Sequence, residues 1–226
     1  MEKHIVSQKR VADFGEVYTP GWIVKAMLDL VKPETERIES RFLEPACGSG
    51  NFLVEILMRK IKVVEKRYRR SQPEYERYAV LAVSSIYGID ILEDNVTQCR
   101  ERLFAIFDNF YTQRFKLGAK EDCRAAVRFI LGRNIVWGDA LTLQTVGEAP
   151  EPIVFSEWSP VNSNLLKRRD FAFHELLLEA DEAHFPLFAV RERPLYSDLG
   201  KKVFIPSPVK DFPLIHFLRV ADADQS

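Results

Sequence analysis

The sequence predicts a doubly wound α/β fold, a mostly parallel sheet with an antiparallel strand at its C-terminal edge. Three observations carry this. Arg41 to Glu55 runs from a short apolar strand ending in Glu44, through Pro45-Ala46-Cys47-Gly48-Ser49-Gly50, into an apolar helix starting at Asn51. The acid-tipped strand then recurs, as Ser85–Ile91 with Asp90 and as Ile135–Trp137 followed by Gly138-Asp139. Amphipathic stretches long enough to return the chain for a parallel strand lie between these strands. In such sheets, ligands bind outside the carboxyl ends of the strands.

With 226 residues the chain can bury one full core, and it is read as one domain. Residues 1–40 lead in, 41–160 form the core, and 161–226 add a C-terminal helix and β-hairpin. Basic and acidic residues nearly cancel, 32 against 33, so no global positive field draws nucleic acid and any contact must be local. Cys47, Cys99 and Cys123 are far apart and include no Cys-x-x-Cys pair. That spacing predicts neither a zinc site nor a disulfide framework, and no metal is expected from the four scattered histidines. No long apolar run or leader pattern is present, which predicts a soluble, cytoplasmic protein without membrane contact.

In chain order, Thr19 is placed to cap a helix, with Pro20 pre-set for its first turn and Ile23, Met27, Leu28 and Val31 at helical spacing. After Gly50, the residues Phe52, Leu53, Ile56, Leu57, Ile61 and Val64 continue a helix. Its later part is basic (Arg59, Lys60, Lys62, Lys66, Arg67, Arg69, Arg70), a solvated face or a set of phosphate contacts. Ser71-Gln72-Pro73 breaks it, and Glu74–Val83 forms a second helix. Asp94–Phe107 is amphipathic. Val127–Ile130 and Ile135–Trp137 are read together as a third apolar strand region.

The glycine turn selects among ligands. Gly48 and Gly50 allow positive φ and bare backbone, and the helix starting at Asn51 points free N–H groups at the same place. A dinucleotide fingerprint needs a third glycine three residues on, where this chain has Leu53. The string Glu44-Pro45-Ala46-Cys47-Gly48-Ser49-Gly50 instead resembles motif I of S-adenosylmethionine-dependent methyltransferases, in the form found in adenine-specific (N6) DNA methyltransferases. A carboxylate suits the ammonium of a sulfonium amino acid better than it suits a pyrophosphate.

The resemblance covers roughly Val11 to Leu143 and implies roles from Tyr18 to Ala140. Tyr18-Thr19-Pro20 corresponds to motif X, which holds the methionine carboxylate. Glu44, Pro45, Ala46, Gly48, Gly50, Asn51 and Phe52 form the motif I cradle. Asp90 corresponds to motif II and accepts bonds from the ribose hydroxyls, with Ile91 against the adenine face. Asp139-Ala140 corresponds to motif III, whose aspartate accepts a bond from the adenine amine; an Asx turn is its competing role.

Pro152–Phe155 is the expected fourth strand, and the resemblance departs there. The family ends that strand in Asn/Asp/Ser-Pro-Pro-Tyr/Phe/Trp, to bind the exocyclic amine of a flipped adenine. This chain has Glu157-Trp158-Ser159-Pro160-Val161-Asn162, with one proline and no aromatic residue after it. Ser159 and Pro160 are the catalytic candidates, with Glu157, Trp158 and Asn162 as components in another order. Leu165–Leu178 is expected to lead into a helix, with Lys167, Arg168 and Arg169 as DNA-phosphate candidates. Lys201–Ile205 and Leu214–Val220 are the expected hairpin, and no separate target-recognition domain fits.

The resemblance implies a DNA adenine-N6 methyltransferase or a restriction–modification modification subunit, with DNA and a separate specificity subunit as partners. A non-catalytic S-adenosylmethionine- or DNA-binding regulatory subunit, and a methyltransferase for a non-nucleic-acid substrate, are the competing readings.

Overall fold

The structure, a computed structural model, describes residues 19–162, 164–181, 195–196, 202–203 and 206–225. Its central sheet is built from β1 (Phe42–Glu44), β2 (Ile86–Asp90) and β3 (Ile135–Asp139), parallel and in that spatial order, with the short β4 (Gln144–Thr145) antiparallel beside β3. Six helices connect and cover these strands: α1 (Gly21–Asp29), α2 (Lys32–Thr35), α3 (Asn51–Tyr68), α4 (Gln72–Ser84), α5 (Glu93–Phe115) and α6 (Glu121–Asn134).

The period-2 alternation of β2 and β3 divides the interior in two. Ile86 and Ile135 face the helices, where they meet Leu53, Ile56, Leu57, Val80, Leu103, Phe107, Val127 and Ile130 in the main core. Tyr87, Ile89 and Val136 face the other way, into a smaller cluster with Ile153, Phe155 and Phe173. Aromatic edges tie that cluster together, Phe155 meeting Tyr87 at 5.4 Å and Phe173 at 5.3 Å between ring centroids.

The second layer differs from expectation. A doubly wound sheet carries helices on both faces; here the second face is covered by the hairpin of β5 (Val154–Asn162) and β6 (Leu165–Ala172), followed by α7 (Phe173–Asp181). Among the described residues, β5 pairs with β6 and not with β1. A parallel fourth strand needs a crossover of a dozen or more residues, usually helical. Residues 140–153 instead make a turn and β4, so the chain leaves β3 near the carboxyl end of the sheet and runs back. Ile153 packs at Gly138, Tyr87 Oη donates to the Ser156 carbonyl, and Arg41 reaches Glu157.

Two stretches change type. Leu165–Ala172 is a strand, not the start of a helix, because burial alternates there: Leu166, Arg168 and Asp170 are buried, whereas Lys167 and Arg169 are only half-buried. Val127–Ile130 belongs to α6, whose buried Cys123, Ala126, Val127, Ile130 and Leu131 follow the helical period. The expected C-terminal strands are reduced to β7 (Leu195–Tyr196) with β8 (Lys202–Val203), then β9 (Lys210–Asp211) and β10 (Ile215–His216) along β6. Phe217–Gln225 is 3₁₀ helix rather than strand, and Phe204 and Ile205 lie outside the described residues.

The basic stretch of α3 is not a uniform solvated face. Arg59 bonds Glu55 at 3.0 Å and Asp29 at 2.9 Å, and Lys60 is fully buried at the amino end of the sheet. Lys60 Nζ donates to the carbonyls of Ile38 and Ser40 and to Ser85 Oγ, joining the chain before β1 to the chain before β2. Burial pushes its ammonium down to about 7. Lys60→Met is expected to leave these oxygens short of a donor and cost about 2–3 kcal/mol in denaturant unfolding. Stability unchanged within about 0.5 kcal/mol would show that the three acceptors find water instead.

Candidate functional site: the carboxyl ends of β1, β2 and β3

Parallel pairing brings the tips of the three strands to one end of the sheet. Glu44, Asp90 and Asp139 are their last residues, with Glu44 opposite Gly88 and Asp90 opposite Trp137 in register. Each acid stands two residues beyond the register partner of the one before, so the three step outward along one edge of the sheet.

The turn after β1 takes the conformation its glycines permit. Gly48 has φ of 52° and Gly50 of 88°, the latter at the N-cap of α3. Gly50 is also closely packed: an added Cβ would lie 2.6 Å from Cys99 Sγ. Cys47 N–H donates to the Ile89 carbonyl at 2.9 Å and Gly50 N–H to the Cys47 carbonyl at 2.8 Å. Cys47 and Cys99, distant in sequence, come together beneath the turn, and both are buried. That contact, with burial, pushes the Cys47 thiol far up, leaving it a packing group rather than a nucleophile.

Asp90, 8% exposed, organises the site. Its Oδ2 accepts the Gly48 N–H at 2.7 Å, and its Oδ1 accepts the Leu92 N–H at 3.0 Å and Asn95 Nδ2 at 3.2 Å. It therefore binds the glycine turn to the start of α5 before any ligand arrives. Glu44 is half-buried; burial raises its carboxyl above the ordinary 4.5, opposed by a bond from the Ala46 backbone. Asp139 Oδ1 accepts the Leu141 N–H at 2.8 Å, the Asx turn weighed from sequence, and among the described residues no hydrogen bond engages its other oxygen. Ile91 is 44% exposed beside these acids, an apolar surface a planar ring could cover. Its carbonyl accepts Trp137 Nε1.

The segment before α1 also reaches the turn, through Asn51 Nδ2, which donates to the Thr19 carbonyl at 3.2 Å. Thr19 does not cap the helix as expected. Pro20 occupies the N-cap with extended ψ of 144°, its carbonyl accepting from Ile23 and Val24. Tyr18 lies outside the described residues. Phe52 packs partly buried against the main core and Ala140 against the smaller one, so each supports the site from behind. Pro45 and Ala46 form the turn itself.

The catalytic candidates are not brought to this edge. Ser159 and Pro160 border a small hollow with Glu39, Arg41, Ser84 and Ser85, which precede β1 and β2, so they lie at the opposite end of the sheet. Trp158 is core: its Nε1 donates to Asn134 Oδ1 at 3.1 Å, and its ring meets Phe129 edge-on. Glu157 is held between Arg41 at 2.6 Å and Arg169 at 3.0 Å. Asn162 closes the β5–β6 hairpin opposite Leu165. The reversal of β5 explains all five placements.

The phosphate candidates are also engaged. Arg168 is 1% exposed, bonded to Asp170 and to Asp224 at 2.6 Å, with Phe212 4.0 Å from its guanidinium. A side chain enclosed in that way cannot meet DNA in this fold. Lys167 pairs with Asp211, and Arg169 with Glu157. Among the described residues no cluster of three or more His, Cys, Asp or Glu could hold a metal, and no helix is long and apolar enough to cross a membrane.

A mostly parallel sheet with acid-tipped strands around a glycine turn makes this an α/β protein whose candidate ligand site lies outside the carboxyl ends of its strands. The family model of the DNA-methyltransferase domain of MmeI matches residues 24–150, more than half of the chain, and the chain belongs to that family. The putative type II restriction enzyme and methyltransferase RM.MjaORFECS2P of Methanocaldococcus jannaschii is 30% identical over 100 residues. That match covers 42% of this chain and 8% of that protein. No solved structure matches.

Sequence reasoning missed Arg102. Its Nη1 lies 2.6 Å from the Ser49 carbonyl, 3.0 Å from Ser49 Oγ and 2.9 Å from Asn51 Oδ1. The available signal was its placement seven residues after Asn95, on the same side of α5.

Proposed function

We propose that the chain binds S-adenosylmethionine across the tips of β1, β2 and β3 as the cofactor-binding part of a DNA adenine-N6 methyltransferase. The proposal rests chiefly on the Gly48–Asp90 bond, which fixes a glycine cradle beside carboxylates on three neighbouring strands. Gly48 and Gly50 leave backbone open to the ligand, Glu44 offers charge to the ammonium, and Asp90 keeps a spare lone pair for a ribose hydroxyl. The Asp139 oxygen that no described residue engages suits the adenine amine, and Ile91 one face of the ring. The resemblance assigns the methionine carboxylate to Tyr18-Thr19-Pro20, of which Thr19 is bonded through its carbonyl to Asn51.

When bound, S-adenosylmethionine would supply an electrophilic sulfonium methyl group, whose carbon a nitrogen lone pair attacks as the carbon–sulfur bond breaks, S-adenosylhomocysteine leaves and the nitrogen gives up a proton. The chain's contribution to that step is to hold the sulfonium in place and shield it from water. A Rossmann-like sheet is the wider fold that this reading implies.

The placement of Ser159 and Pro160 favours a second reading, a cofactor-binding subunit that does not itself transfer methyl. In both, DNA is read by another segment or by a separate specificity subunit, since Lys167, Arg168 and Arg169 are already engaged. Calorimetry on the full chain should detect S-adenosylmethionine binding, and its failure would end both readings. Tritiated methyl appearing in unmodified DNA, alone or with a specificity subunit, selects the first. Bound cofactor with unlabelled DNA selects the second, and label in protein or small molecules would redirect the substrate class.

A further inference from the structure

The face of α5 that meets the glycine turn is made by Asn95, Cys99 and Arg102, at i, i+4 and i+7. Each grips a different part. Asn95 bonds Asp90, Cys99 fills the space beside Gly50, and Arg102 reaches Ser49 and Asn51. Asn51 passes the contact on, because its Oδ1 accepts from Arg102 while its Nδ2 donates to the Thr19 carbonyl. The chain Arg102–Asn51–Thr19 thus spans from α5 to the segment before α1.

Arg102 is half-buried, and among the described residues it donates to the Ser49–Asn51 turn and to no carboxylate. A guanidinium that donates only to neutral oxygens makes no ion pair of its own, so it brings a positive charge to this side of the cradle. We infer that Arg102 is a positioning residue for the amino-acid half of the bound cofactor. It orients Asn51 so that the Thr19 carbonyl is fixed at the required distance, and its charge favours a ligand carboxylate on that side. The nucleoside half depends on Asp90, Ile91 and Asp139 instead. This inference rests on the S-adenosylmethionine reading.

The test compares two ligands on the full chain. S-adenosylmethionine carries the amino-acid half; 5′-methylthioadenosine keeps the nucleoside and lacks it. Arg102→Met and Arg102→Gln are expected to weaken S-adenosylmethionine binding about tenfold or more, and to change methylthioadenosine binding by less than about twofold. Arg102→Lys should recover part of the loss, since an ammonium can still donate to one of the oxygens. Equal weakening of both ligands would mean that Arg102 merely supports the turn, and no change in either would mean that it does nothing for the ligand. Both results overturn the inference. A wild-type chain that binds neither ligand fails the cofactor reading itself, a different and distinguishable outcome.

Discussion

Asp90→Ala is expected to lower stability by about 3 kcal/mol and to weaken S-adenosylmethionine binding at least about a hundredfold. The stability loss follows from what the carboxylate holds. It accepts two backbone N–H groups and one amide N–H while 8% exposed, and alanine leaves them without that partner. For a chain of this size that cost corresponds to a fall in Tm of about 6–12 °C. The binding loss has two parts, the missing ribose acceptor and the released turn, since Gly48 no longer has a partner fixing its positive φ. Asp90→Asn separates shape from chemistry. Its amide keeps the volume but places an NH₂ against Gly48 N–H or, rotated, against Leu92 and Asn95. It should therefore fail in the same direction, less severely. Chemical denaturation and calorimetry below the transition measure the two effects apart. Full stability in Asp90→Ala would mean that the turn organises itself and that Asp90 is an ordinary strand-end acid.

The parts legible in the sequence were those specified locally. The glycine turn, the three acid-tipped strands and α3 each depend on a run of neighbouring residues, and pattern alone finds them. The parts that were not legible depend on distant partners. Arg168 looks like a surface cation until Phe212 and Asp224 close over it, and Trp158 looks like a base-stacking ring until Asn134 takes its indole N–H. Cys47 and Cys99 are far apart by number and meet only because α5 crosses the turn. The reversal of β5 had a local cause, the absence of a crossover helix between β3 and Ile153. A segment of fourteen residues could have returned the chain to the other end, so length did not decide it. What decided it was β4, whose antiparallel pairing with β3 starts the turn back and which no apolar pattern in Gln144-Thr145 announces. Helix α6 was missed for a related reason: its buried positions follow the helical period, but Val127–Ile130 taken alone also fits a strand.

Glu44→Gln should move stability and binding in opposite directions. Burial raises the folded-state value of Glu44 above the ordinary 4.5, so in the window between the two the folded chain holds a proton that the unfolded chain has released. Stability then falls as pH rises through that window, and at neutral pH the ionised carboxylate is a net cost. Glutamine removes the charge and keeps the shape, so the variant is expected to be at least as stable as the parent at pH 7. The carboxyl is still partly open to water, which keeps that gain small. Binding responds the other way, because the ligand ammonium loses its counter-charge. The expected cost is about tenfold or more in Kd. The parent should also lose affinity as pH falls through the raised value of this carboxyl, while Glu44→Gln does not share that loss. Paired thermal scans and calorimetry from pH 7 downward measure this. A variant that loses stability and affinity together would place Glu44 among the groups that build the strand tip, and the charge matched to the ammonium would have to come from elsewhere at that edge.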